Sequence, residues 1–175
     1  MEKKKPEIPK KAVKIKRKLV AAEIPVINSS GSSKQRRARM LAVQALYAAE
    51  SCGIKSESEI GELCSFPWDD SGAGKEITDQ AALLVRGSFA VLPEIDAKIK
   101  QRLINWDFSR ISIVNKSILR LSIYSMLYEK SSPSRLIINE AVDLAKIFSD
   151  EEGYKFINAL LDRLRKDEES KAPPA

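Results

Sequence analysis

ISIVNKSILRLSIYSMLYEK, residues 111–130, decides the fold class. The run is apolar on most sides and rich in β-branched residues, so strand and helix both have to be weighed. Length favours helix, because about twenty residues is far beyond an ordinary strand of about 5–6. A helix that is apolar nearly all round must be buried by several neighbours. Residues 111–130 therefore read as the central helix of a helical domain.

The flanking segments agree. SSPS (131–134) breaks the chain, and INEAVDLAKIF (138–148) then places Ile138, Ala141, Val142, Ala145 and Phe148 on one helical face. A last helix, about 151–167, carries Phe156, Ile157, Leu160, Leu161 and Leu164 at i, i+1, i+4, i+5 and i+8. Upstream, a helical pattern runs from about Glu76 to Gly87–Leu92, and Pro93 suits the first turn of another helix over 93–104. A shorter helix, 57–65, precedes the loop FPWDDSGAGK, which Phe66 and Trp68 are expected to pin to the body. The first helix spans about Ser33–Ser51, capped by Ser32 or Ser33 and stopped at Gly53, with Met40, Val43, Leu46 and Tyr47 on its apolar stripe. The expected class is all-α, with no convincing strand.

The 175 residues suffice for one domain with a real core, and 43% hydrophobic with 31% charged residues fit a folded chain. Seven glycines are too few for the many turns of a β-sandwich. The net charge of +6 is unevenly spread: residues 1–39 hold 13 Lys/Arg against 3 Asp/Glu, and the rest is net −4. MEKKKPEIPKKAVKIKRK followed by NSSGSS makes 1–33 a basic tail, expected to be disordered; 34–167 is the helical domain, and 168–175 an expected disordered C-terminus. Such basicity points to a polyanion, nucleic acid ahead of an anionic membrane. No stretch approaches the roughly 18 apolar residues of a membrane span, so a cytoplasmic location is expected. Cys52 and Cys64 are too few for a disulfide framework, and with no histidine neither a metal site nor a cofactor is expected.

KQRRARMLAVQALYAAE, residues 34–50, raises the functional question. Lys34, Arg36, Arg37 and Arg39 crowd a helix start, where positive charge is disfavoured by roughly 0.3–1 kcal/mol each if exposed. At 100° per residue Arg36 lies within about 20° of Tyr47, and Arg37 within about 20° of Gln44. Guanidinium groups for phosphate and stacking, a ring for a base and an amide for a base edge suit single-stranded RNA. A solvated basic helix end, with Tyr47 half-buried and Gln44 exposed, is the alternative that spacing leaves open.

RRARMLAVQALY (36–47), SILRLSIYSM (117–126), INEAVDLAKIF (138–148) and KFINALLD (155–162) resemble, in order and spacing, the NusB transcription antitermination factors. The resemblance covers about 34–165 and leaves the tail unexplained. It implies two three-helix bundles packed side by side, and binding in place of catalysis. The implied ligand is boxA RNA of ribosomal RNA leaders, bound with the ribosomal protein NusE at the elongating RNA polymerase. On the matching motif, Lys34, Arg36, Arg37, Arg39, Gln44 and Tyr47 become the expected RNA-binding residues, with Lys34 an added phosphate contact. Asn115, Lys116, Glu152 and Phe156 become the expected NusE-facing ones. Phe156 also fits simple core packing, and Asn139 and Glu140 read better as helix-start residues. Asp143 and Lys146 can form an i,i+3 surface pair.

The chain departs from the family pattern at four positions. Met40 and Asn115 stand where glutamate is usual, Ser125 replaces the glutamate of LYEL, and Ala159 the glycine of FVNGVLD. The same domain also occurs fused to ribosomal RNA cytosine methyltransferases. Without room for a catalytic domain, a Gly-rich cofactor loop or a histidine, no enzyme activity is expected. A protein-only adaptor or a non-specific RNA binder on the same fold is the alternative function. Family members occur as monomers or dimers, so a homodimer is left open.

Overall fold

The computed structural model describes residues 33–69 and 72–171; all but one residue of the expected basic tail lie outside that range. Seven α-helices occur among the described residues, and no strand. They are α1 (Lys34–Cys52), α2 (Glu57–Leu63), α3 (Lys75–Ala90), α4 (Leu92–Lys100), α5 (Ile113–Tyr124), α6 (Ser134–Phe148) and α7 (Glu151–Lys171). A 3₁₀ turn, Phe108–Arg110, precedes α5, and a π turn, Ser125–Glu129, follows it.

Helices α1, α2 and α3 form one bundle and α5, α6 and α7 the other, with α5 in contact with α1, α3, α4, α6 and α7. The two-bundle expectation therefore holds, and the central helix is central because Ile118, Leu119, Leu121 and Ile123 have no solvent-facing side to occupy. Its hydroxyls are satisfied locally: Ser117 and Ser122 donate to the Ile113 and Ile118 carbonyls, each at 2.8 Å. The expected single helix over 111–130 is shorter, because the last turn widens into the π turn. Lys130, at φ 52°, closes it by donating its N–H to the Ser125 carbonyl.

Several ends follow from single residues. Gly53 adopts φ 68° and returns its N–H to the Ala49 and Glu50 carbonyls, the left-handed stop expected for α1. Pro93 sits in the first turn of α4, where no N–H is needed. Gly87 of α3 lies under the Tyr124 ring, which a Cβ would overlap, so α3 and α5 approach closely there. Helix α7 runs to Lys171, correcting the expected disordered stretch at 168–171. Arg165 pairs there with Asp162 and Glu169, and Lys171 with Glu168, which extends the helix by i,i+3 and i,i+4 pairing. Residues 172–175 lie outside the described range.

Phe66 and Trp68 do pin the loop after α2: both are buried, edge to face at 5.8 Å. Phe66 holds φ 46°, unfavourable for a bulky residue, and its burial offsets that strain. The Trp68 indole N–H donates to Gln44 Oε1 at 3.2 Å. Gln44→Leu should therefore lower stability by about 1–3 kcal/mol, since a buried donor is left without its acceptor. Urea unfolding measures this; an unchanged midpoint would show that the indole N–H finds water instead. Both cysteines are free, and burial is the largest influence raising the Cys64 thiol pKa, against Arg86, so this thiol stays protonated.

Candidate nucleic-acid interface

The N-terminal turn of α1 carries no acidic residue. Ser33 is the cap, accepting from the Arg36 N–H at 3.3 Å. Acids from other helices come to the cations instead. Lys34 Nζ lies 2.5 Å from Glu76 at the start of α3, and Arg36 Nη2 3.6 Å from Asp143 on α6. Arg39 Nε lies 2.7 Å from Glu140 Oε2 but off its N–H direction, so that contact is ionic and not a hydrogen bond. Arg39 Nη1 donates to Ser125 Oγ at 3.1 Å, tying α1 to the π turn. Ser33, Arg36, Arg39, Glu140, Asp143 and Leu144 line a cleft of about 130 Å³ between α1 and α6.

This geometry corrects part of the expected RNA set. Arg39 is only 7% exposed and Gln44 only 5%; one is buried against α6 and the π turn, the other against Trp68. Gln44 is turned into the fold, and Arg39 reaches solvent only where it lines the cleft. Arg36, Arg37 and Tyr47 are half-buried, and Lys34 is exposed. Asp143 faces Arg36, and Lys146 lies instead 5.7 Å above the Tyr154 ring, so the expected pair between these two is replaced. Lys34, Arg36, Arg37 and Tyr47 keep surface open to solvent, with Lys34 turned to α3 and Arg36 to α6.

On the opposite bundle, Asn115, Glu152 and Phe156 line one groove of about 520 Å³ between the starts of α5 and α7. Gly153 makes this closeness feasible: a Cβ there would run into Ser149 Oγ and press on Asn115 and Asp150. Asp150 Oδ1 caps α7 by accepting from the Gly153 N–H at 2.7 Å. Asn115 Oδ1 is buried without a hydrogen-bond partner among the described residues, an acceptor beside the groove. Lys155, whose pKa is raised first of all by its hydrogen bond to Glu151, borders the same groove.

Lys116 does not join them. One helical step turns it away from Asn115, and it is 8% exposed, donating to Glu50 Oε1 at 3.2 Å. It belongs to a partly buried charge cluster with Arg120, Glu50 and Asp96, in which Arg120 donates to both Asp96 oxygens at 2.8 Å and to Glu50. Burial alone would lower the Arg120 pKa; its bonds and attraction to Asp96, then Glu50, outweigh that and raise it. Lys116, Lys100 and Arg120 all face the Phe108 ring, at 4.8, 5.0 and 6.0 Å.

Sequence reasoning missed Trp106. It is 53% exposed, carries the Arg110 guanidinium 5.2 Å from its ring, and lines both this groove and a smaller one of about 190 Å³. Ile104, 66% exposed, and Phe156 line that second groove. The available signal was a tryptophan set between Asn105 and Asp107, outside every apolar stripe.

Comparison with known proteins agrees with this architecture. The family model described as the NusB family matches residues 36–166. The transcription antitermination protein NusB of Treponema denticola is 38% identical over 75% of this chain and 95% of its own length. That of Leptospira biflexa is 40% identical over 78% and 94%. Among solved structures, NusB of T. maritima is similar with a TM-score of 0.66 at 30% identity, covering 78% of this chain and 92% of that one. A chain from a complex of antitermination factors NusB and NusE with double-stranded RNA gives 0.67 at 27% identity, over 77% and 97%. With matched residues spanning α1 to α7, the chain belongs to the NusB family.

Proposed function

We propose that this chain is a transcription antitermination factor that holds boxA RNA together with NusE at the elongating RNA polymerase. The observation that carries the reading is its likeness, over nearly the whole of that chain, to a protein solved with NusE and RNA. The solvent-open residues at the start of α1, Lys34, Arg36 and Arg37, contact RNA phosphate, and Tyr47 on the same helix contacts one base. The groove of Asn115, Glu152 and Phe156, extended by Trp106 and Arg110, receives NusE. An exposed aromatic ring flanked by an arginine, beside a pocket, is the chemistry of a protein-binding hot spot.

The double variant Arg36→Ala, Arg37→Ala should weaken boxA binding and leave the fold intact, because the Arg36–Asp143 ion pair is exposed and contributes under about 1 kcal/mol. Removing one phosphate-neutralising cation should flatten the log–log salt dependence by about 0.7, so removing both should flatten it by about 1.4. Filter binding at several salt concentrations tests this. Unchanged affinity in a folded double variant would remove the arginines from the site and favour the protein-only adaptor.

A further inference from the structure

Three cations at the start of α1 are already engaged by the protein's own acids. Lys34 meets Glu76 of α3, while Arg36 and Arg39 meet Asp143 and Glu140 of α6, at 2.5, 3.6 and 2.7 Å. No acid of the first turn of α1 takes part. The three contacts differ in exposure. The Arg39 side chain is 8% exposed and also donates to Ser125 Oγ, so its pair belongs to the packing of α1 on α6 and the π turn. The side chains of Lys34, Glu76, Arg36 and Asp143 are all between 40 and 72% exposed. Exposed pairs of this kind contribute little to stability, so the fold does not need these two carboxylates.

We propose that Glu76 and Asp143 are internal competitors of RNA: each holds a cation that a phosphate must take over, which keeps the chain's affinity for RNA below what its cations allow. The inference rests on the RNA-binding function proposed above and assigns to that site two residues that oppose it. Release is easy on the side of the acids. Glu76 lies in the first turn of α3, where the helix dipole favours a carboxylate even without Lys34. Asp143 has Lys146 three residues further on, a spacing that suits an ion pair on one helix. Displacement therefore exchanges a carboxylate for a phosphate at each cation and leaves no charge buried. Phosphate contacts carry no sequence information, so the competition lowers affinity for every RNA alike. Salt screens exposed pairs, so the restraint is greatest at low ionic strength.

The test uses the full chain and measures binding to a boxA-type single-stranded RNA and a scrambled RNA of equal length, at low and high salt. The double variant Glu76→Gln, Asp143→Asn should bind both RNAs about fivefold to twentyfold more tightly at low salt. The ratio of the two affinities should stay the same, and the gain should shrink at high salt. A control double variant, Asp79→Asn, Glu151→Gln, removes the same charge from exposed pairs with Lys75 and Lys155, and should gain about twofold at most. The gain from Asp143→Asn should fall to that level in an Arg36→Ala background, and the gain from Glu76→Gln in a Lys34→Gln background. Unchanged affinity in a folded Glu76→Gln, Asp143→Asn protein would overturn the competition. So would an equal gain in the control, or one that persists without the partner cation. Failure of the parent chain and every variant to bind either RNA would overturn the RNA reading itself. A gain without any boxA preference would keep the competition and overturn the boxA reading alone.

Discussion

Arg120→Ala should lower stability by about 3–5 kcal/mol, a loss large enough to threaten the fold of an ordinary domain. The side chain joins three helices: it reaches Asp96 on α4 from α5, and Glu50 at the end of α1. Truncation removes the pairing but leaves both carboxylates in place, half-enclosed, with only Lys116 still beside Glu50. Unpaired charge of this kind is worse than no charge, so Arg120→Met should be as damaging, while changing Arg120, Glu50 and Asp96 together to apolar residues should recover much of the stability. The two bundles meet through this cluster, so unfolding should remain cooperative and shift as a whole. At about 2–4 °C for each kcal/mol, a fall near 10 °C in Tm is expected by calorimetry. A loss below about 1 kcal/mol would mean that water solvates the freed carboxylates and that the cluster contributes little.

Trp106→Ala should reduce affinity for NusE by roughly 30-fold or more, about 2 kcal/mol, with stability nearly unchanged. The second half of that expectation follows from exposure. The ring is more than half open, and its stacking partner Arg110 is also exposed, so the substitution removes little core packing. The first half follows from position: the exposed ring lines two grooves, both of which Phe156 also lines. Phe156→Ala is the less informative change, since Phe156 also packs against the core and its removal mixes stability with binding. Titration calorimetry with purified NusE reads the effect, and circular dichroism checks the fold. Wild-type affinity in the Trp106→Ala protein would move NusE docking off this groove.

Helix positions were legible because apolar periodicity is a local property, and the caps at Ser33 and Gly53 and the first-turn Pro93 need only their neighbours in sequence. The side-chain environment of the candidate site was not local. Gln44 points where helical geometry says it should, but what lies there is Trp68, brought in by a loop 24 residues away. Arg39 is buried because Glu140 arrives from α6 and Ser125 from a π turn, neither of which α1 encodes. Asn115 and Lys116 are adjacent in sequence, yet one meets a groove and the other the half-enclosed Glu50 carboxylate. A cation run reports that acids or phosphates are needed; it does not say which of them the fold itself provides. The grooves beside Trp106 were invisible for the same reason, since they lie between helices far apart in the chain.

The most direct measurement of the central claim is binding of a boxA-type RNA against a scrambled RNA, with and without NusE, at two salt concentrations. Selective binding to boxA that tightens when NusE is added is the predicted result. Equal binding to both RNAs, unaffected by NusE, would contradict the account and leave a basic RNA-coating protein on this fold.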